Sequence, residues 1–164
     1  MDKELHALSR DVGEALAQRG WMLAAAESCT GGWIAEVVTA TAGSSGWFDR
    51  GFVTYSNAAK QDMLGVAAVT LQSMGAVSET TVREMAAGAL LRSSAAVTVA
   101  VSGIAGPGGA TPGKPVGTVC FAWACADGRS RAETRLFAGD REAVRRSTVI
   151  HALQEVIRLA RTTP

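Results

Sequence analysis

Several features are scarce in this 164-residue chain, and each scarcity argues against a class of protein. No apolar run approaches the roughly 20 residues that a membrane-spanning helix needs. The opening Met1-Asp2-Lys3-Glu4 is charged and lacks the apolar core of a signal peptide. The formal net charge is only +1, which gives no electrostatic case for nucleic acid or an acidic membrane surface. The three cysteines, at 29, 120 and 125, are odd in number. Cys120 and Cys125 lie five apart on one expected strand, so they point to opposite faces and cannot pair locally. No Cys-x-x-Cys or His-rich spacing suggests a metal, and a reducing cytoplasm is the simplest location. Repeats, linkers and low-complexity tracts are also missing.

What is present reads as one globular domain over residues 1–164. Hydrophobic residues make up 48% of the chain and charged residues 19%, enough to bury a single core. Residues 2–19 carry Leu5, Leu8, Val12 and Leu16 at helical spacing, and Gly20 closes that helix. Residues 21–26 form a short apolar run, expected as a strand covered on both faces. A second helix follows, with Trp33, Ile34, Val37, Val38 and Thr41 on one stripe, and Gly43–Gly46 breaks it. Residues 47–55 read as a strand, and Ser56-Asn57 caps a short helix reaching Leu64. Residues 65–77 read as irregular. Ser78-Glu79 starts another helix, and residues 97–102 form the most strand-like run in the chain. A glycine- and proline-rich loop occupies 103–115; loops of that length in compact domains are usually functional. A hairpin over 117–125 and 130–137 turns at Asp127-Gly128, and Asp140 caps a last helix. The expected fold is α/β, a single three-layer domain with a mixed sheet flanked by helices. Trp47-Phe48, after a glycine break, reads as an exposed interface patch of a homo-oligomer.

The chemistry centres on Ala26-Glu27-Ser28-Cys29-Thr30-Gly31-Gly32, a strand-to-helix turn. A serine there is either a helix N-cap or a nucleophile facing backbone N–H groups that favour negative charge. It does not form a Gly-x-Ser-x-Gly elbow, because Ala26 and Thr30 stand at the glycine positions. His6 and His151 both fall inside helices away from the site loops, which argues against a Ser-His-Asp triad. Lys60 is the better base. It falls in the first helical turn, where the dipole opposes a cation, and burial would push its pKa down; otherwise it is a solvated surface lysine. Tyr55, the only tyrosine, is either a wet strand aromatic or a proton relay between Lys60 and Ser28. The 103–115 loop is neither a P-loop nor a dinucleotide fingerprint. Arg141 and Arg145 share one face of the last helix near its start, as an anion clamp or as a solvated basic face. Cys29 reads as a packed residue.

These pieces occur in a recognisable order. The 26–32 segment, then Gly51-Phe52-Val53-Thr54-Tyr55-Ser56-Asn57 with Lys60, then Gly75-Ala76-Val77-Ser78-Glu79, Ser102-Gly103-Ile104-Ala105-Gly106-Pro107 and Lys114-Pro115-Val116-Gly117-Thr118-Val119 resemble the CinA C-terminal family. The similarity spans nearly the whole chain and matches a stand-alone form without the larger N-terminal domain of full-length members. It implies a serine amidase that uses no metal or organic cofactor. Its reaction converts nicotinamide mononucleotide and water to nicotinate mononucleotide and ammonia. It also implies Ser28 as nucleophile, with Lys60 and Tyr55 as partners. Around them, Thr30, Gly31, Asn57, Ser102, Gly103, Gly106, Arg141 and Arg145 are expected to bind substrate. Ser102 departs from the threonine of many members but keeps the hydroxyl. The competing expectations are a non-catalytic nucleotide-binding or regulatory module and an amidase for another small amide.

Overall fold

The computed structural model describes residues 1–164. Helix α1 (Lys3–Arg19) begins at Asp2, whose carboxylate accepts the Leu5 N–H, and ends at Gly20 in the left-handed conformation. Strand β1 (Leu23–Glu27) leads to α2 (Trp33–Thr39), a single 3₁₀ turn (Ser44–Gly46) and β2 (Phe48–Val53). Three helices follow: α3 (Asn57–Leu64), α4 (Ala68–Met74) and α5 (Glu79–Leu91). Strand β3 (Val97–Gly103), the hairpin β4 (Thr118–Cys125) and β5 (Ser130–Leu136), and α6 (Arg141–Arg161) complete the chain. The five strands run in the order β2-β1-β3-β4-β5. The pairs β1–β2 and β1–β3 are parallel, and β3–β4 and β4–β5 are antiparallel.

The sheet's two faces differ in size of side chain. One presents Leu23, Val97, Val99, Val101, Phe121 and Trp123 to α1, α2 and α6. The other presents Ala26, Ala100, Cys120, Ala122 and Ala124 to α3, α4 and α5. Small residues let α5 lie close, and Gly88 continues the approach: a Cβ there would stand 1.9 Å from the Leu64 carbonyl oxygen. Cys120 and Cys125 fall on opposite faces, as period-2 geometry requires.

Two sequence expectations need correcting. Residues 65–77 are not irregular, since they contain α4. That helix starts at Ala67, which offers no side-chain cap, and buries only Leu71, so neither a start signal nor an apolar stripe marks it. Trp47-Phe48 is less open than a free surface patch. Both rings pack partly buried against the larger core, and the Trp47 indole lies so close over Gly13 that a Cβ there would be 2.6 Å from it.

Candidate active site

The carboxyl ends of β1, β2 and β3 lie side by side. The chain leaves β1 toward one face of the sheet, through α2, and leaves β2 toward the other, through α3. Such a divergence opens a crevice where α/β folds bind ligands. Ser28 stands at its centre. Its N–H extends the β1 ladder to the Val101 carbonyl at 3.1 Å, and its own carbonyl accepts the Gly31 N–H at 3.1 Å. Gly31 and Gly32 both adopt positive φ, 59° and 105°, which fits the turn to glycine. The N-cap of α2 is Gly32, without a side-chain cap, so Ser28 is no helix cap and its hydroxyl faces elsewhere.

That hydroxyl meets Lys60. The Lys60 Nζ donates to Ser28 Oγ at 2.9 Å and to the Thr54 carbonyl at 2.8 Å. Ser56 caps α3 through the Ala59 N–H, which puts Lys60 in the first turn, and the side chain is only 1% exposed. Burial lowers the Lys60 pKa from the usual lysine range. The opposing pull would come from a Cys29 thiolate, but burial pushes that thiol up to about 12, so near neutrality it carries no charge. Cys29 is therefore a poor nucleophile despite its position.

A cavity of about 280 Å³ opens onto this pair, walled by Tyr55, Asn57, Val77, Ser102, Gly103 and Arg141 among others. Beside it lies a larger pocket of about 790 Å³ between the starts of α2 and α6, lined by Gly31, Trp33, Arg141 and Arg145. Arg141 belongs to both. The 103–115 loop folds back over α4 and α5, where Lys114 Nζ donates to the Met74 and Val77 carbonyls and so fixes one cavity wall.

The structure redistributes several expected roles. Tyr55 is 62% exposed, and its hydroxyl accepts from Arg141 at 3.0 Å, not from Lys60 or Ser28. Lysine and serine touch directly, so no relay is needed between them. The Thr30 hydroxyl is buried and donates to Glu27 at 2.6 Å, while the residue also lines the larger pocket. Gly106 is buried and offers its carbonyl to Arg141 at 2.9 Å. Gly31 lines the larger pocket, but its N–H is spent on Ser28. Nor do the first N–H groups of α2 face the crevice. Those of Ile34 and Ala35 donate to the Glu27 carboxylate at 2.8 and 3.0 Å. Within the turn, the N–H groups of Cys29, Thr30 and Gly32 stay without an acceptor in the chain, and the first two follow Ser28 directly. Sequence reasoning missed Glu27 and the Thr54 carbonyl. A lone glutamate ending an apolar strand was the available signal for the first, whereas a backbone acceptor leaves none.

The CinA C-terminal domain model matches residues 5–160. The chain belongs to that family. The Enterobacter agglomerans protein named nicotinamide-nucleotide amidohydrolase PncC is 55% identical over 157 residues, covering 96% of each chain. Its namesake in Escherichia coli K12 is 56% identical over 153 residues, covering 93% of each. Among solved structures, the competence/damage inducible protein CihA of Agrobacterium tumefaciens superposes with a TM-score of 0.93. That protein is 46% identical, and the match covers 97% of both chains. The family match over residues 5–160 contains the whole Ser28 crevice.

Proposed function

We propose that this domain hydrolyses the carboxamide of nicotinamide mononucleotide, releasing ammonia and nicotinate mononucleotide. The observation that carries the reading is the buried 2.9 Å contact between Lys60 and Ser28 at the floor of a small cavity. The activity named for relatives at 55–56% identity supplies the substrate.

Neutral Lys60 takes the Ser28 proton as Oγ attacks the carboxamide carbon. The oxyanion rests on the unspent N–H groups of Cys29 and Thr30; one such donor is typically worth about 3–4 kcal/mol in the transition state. The Lys60 ammonium then returns its proton to the departing nitrogen, and ammonia leaves. Water, deprotonated by Lys60, attacks the nicotinoyl ester and restores Ser28. The carboxamide end occupies the smaller cavity, and the ribose phosphate extends past Arg141 into the larger pocket. Arg141 donates only to neutral oxygens, those of Gly106 and Tyr55, so a phosphate supplies the negative charge it lacks.

The test is ammonia release from nicotinamide mononucleotide against free nicotinamide. Turnover of the nucleotide with a strong preference over the free base is expected. Equal turnover of both would mean an amidase for another small amide. Nucleotide binding with no ammonia would mean a binding module.

A further inference from the structure

The turn that carries Ser28 is gripped from two sides by groups that the hydrolysis scheme does not use. From inside, the Glu27 carboxylate is wholly buried. It accepts the Thr30 hydroxyl at 2.6 Å and the Ile34 and Ala35 N–H groups at 2.8 and 3.0 Å. From outside, Arg145 reaches over from α6. Its Nε donates to the Cys29 carbonyl and its Nη2 to the Thr30 carbonyl, each at 3.0 Å. The guanidinium lies over the Trp33 ring, 5.4 Å from its centre, a cation–π contact that holds it beside α2.

The Cys29 carbonyl and the Thr30 N–H belong to one peptide group. A cation bonded to the oxygen draws density from the nitrogen and makes the N–H a stronger donor, as in any chain of hydrogen bonds. The Thr30 N–H is among the unspent donors of the turn that follows Ser28. Glu27, through the Thr30 hydroxyl, fixes the direction in which that peptide points. We propose that Glu27, Thr30 and Arg145 form a clamp that orients and polarises the oxyanion donors, so that Arg145 and Thr30 are positioning residues for turnover and not binders of the substrate's phosphate. The proposal rests on the hydrolase reading above and deepens it.

The experiment measures steady-state ammonia release from nicotinamide mononucleotide by the full-length wild type, Arg145→Gln, Arg145→Lys, Thr30→Val and Thr30→Ser, with thermal melts for each. Arg145→Gln is expected to lower kcat by about tenfold or more, with KM within about twofold, because the loss falls on the transition state. Arg145→Lys recovers little, since an ammonium cannot bond both carbonyls with the fork geometry. Thr30→Val lowers kcat in the same way, and Thr30→Ser, which keeps the hydroxyl, restores it. An Arg145→Gln variant with raised KM and unchanged kcat would overturn the clamp and return Arg145 to phosphate binding. Equal losses in Thr30→Ser and Thr30→Val would overturn the part played by the hydroxyl. Should Thr30→Val melt below the assay temperature, the two Arg145 variants decide alone, since their side chain lies at the pocket rim. Failure of the underlying reading is separate: wild type itself would then release no ammonia.

Discussion

The two ends of α6 carry the same residue type in opposite circumstances. Toward its C-terminal end, Arg158 pairs with Glu155 at 2.6 Å, and Arg131 of β5 bridges Glu155 at 3.1 Å and Glu133 at 2.8 Å. Arg135 and His151 also meet Glu133, so these three arginines each have a carboxylate. At the N-terminal end, Arg146 turns away from the cavities to Asp2 and Glu4 at 3.0 and 2.6 Å, whereas Arg141 and Arg145, which line them, donate only to carbonyls and a phenol. Lys60, nearby, donates only to a hydroxyl and a carbonyl. Partly exposed ion pairs contribute little, about 0–1 kcal/mol each, so the matched end is tuned for stability at the margin. The unmatched end holds cationic groups at the mouths of two cavities, an arrangement that an anionic substrate and a developing oxyanion would complete.

Substitutions of the unmatched cations at the cavities should therefore change activity, and those of the ion-paired arginines should change only stability. The largest effect is expected for Ser28→Ala: ammonia release from the mononucleotide falls by at least about 10⁴-fold, with the melting temperature little changed. Full turnover would remove Ser28 as the nucleophile. Lys60→Met comes next, lowering kcat by about 10²–10⁴-fold, the range of general-base losses, without lowering stability near neutrality. The sign follows from linkage. Burial lowers the Lys60 pKa in the folded state. Between that lowered value and the unfolded value of about 10.4, the unfolded chain holds a proton that the folded chain has lost. Wild-type stability therefore rises with pH across that window, and below it the folded state bears the full cost of a buried ammonium. Thermal melts across the window should show a steeper rise in wild type than in Lys60→Met; identical slopes would mean that Lys60 is not perturbed.

Smaller effects sharpen the contrast. Arg141→Gln should raise KM for the mononucleotide about tenfold or more, while KM for the phosphate-free nicotinamide riboside stays as it was. A parallel rise for both substrates would move the phosphate elsewhere. Smallest of all, Arg158→Ala should cost less than about 1 kcal/mol in chemical denaturation and leave kcat/KM unchanged. Any clear loss of activity there would break the division between the two ends.

Much of this was legible in the sequence, because strong periodicity and caps mark most elements. Ser56, Ser78 and Asp140 each cap the helix that their position announces, and the run at 97–102 is a central strand, extended by Gly103. Helix α4 was hidden because a single buried leucine makes no pattern. In the site, the serine and lysine could be named from residue type and place. Their contact could not, since it depends on how far α3 tilts over the end of β1. Glu27 was missed for a related reason. Its partners Thr30, Ile34 and Ala35 are local, but only the turn's three-dimensional path brings their donors onto one carboxylate. Tyr55 does line the cavity with Ser28 and Lys60, but its bond to Arg141 spans 86 residues of chain and leaves no local signal.

The most direct test of the account follows the Lys60 side chain itself by nuclear magnetic resonance on protein carrying ¹³C-labelled lysine, titrated alongside the pH dependence of kcat/KM. The account expects one lysine signal, absent in Lys60→Met, to lose its proton well below the usual lysine range and at the same pH where kcat/KM rises. A Lys60 signal titrating near the ordinary value of about 10.4, with catalysis already complete several pH units lower, would contradict it.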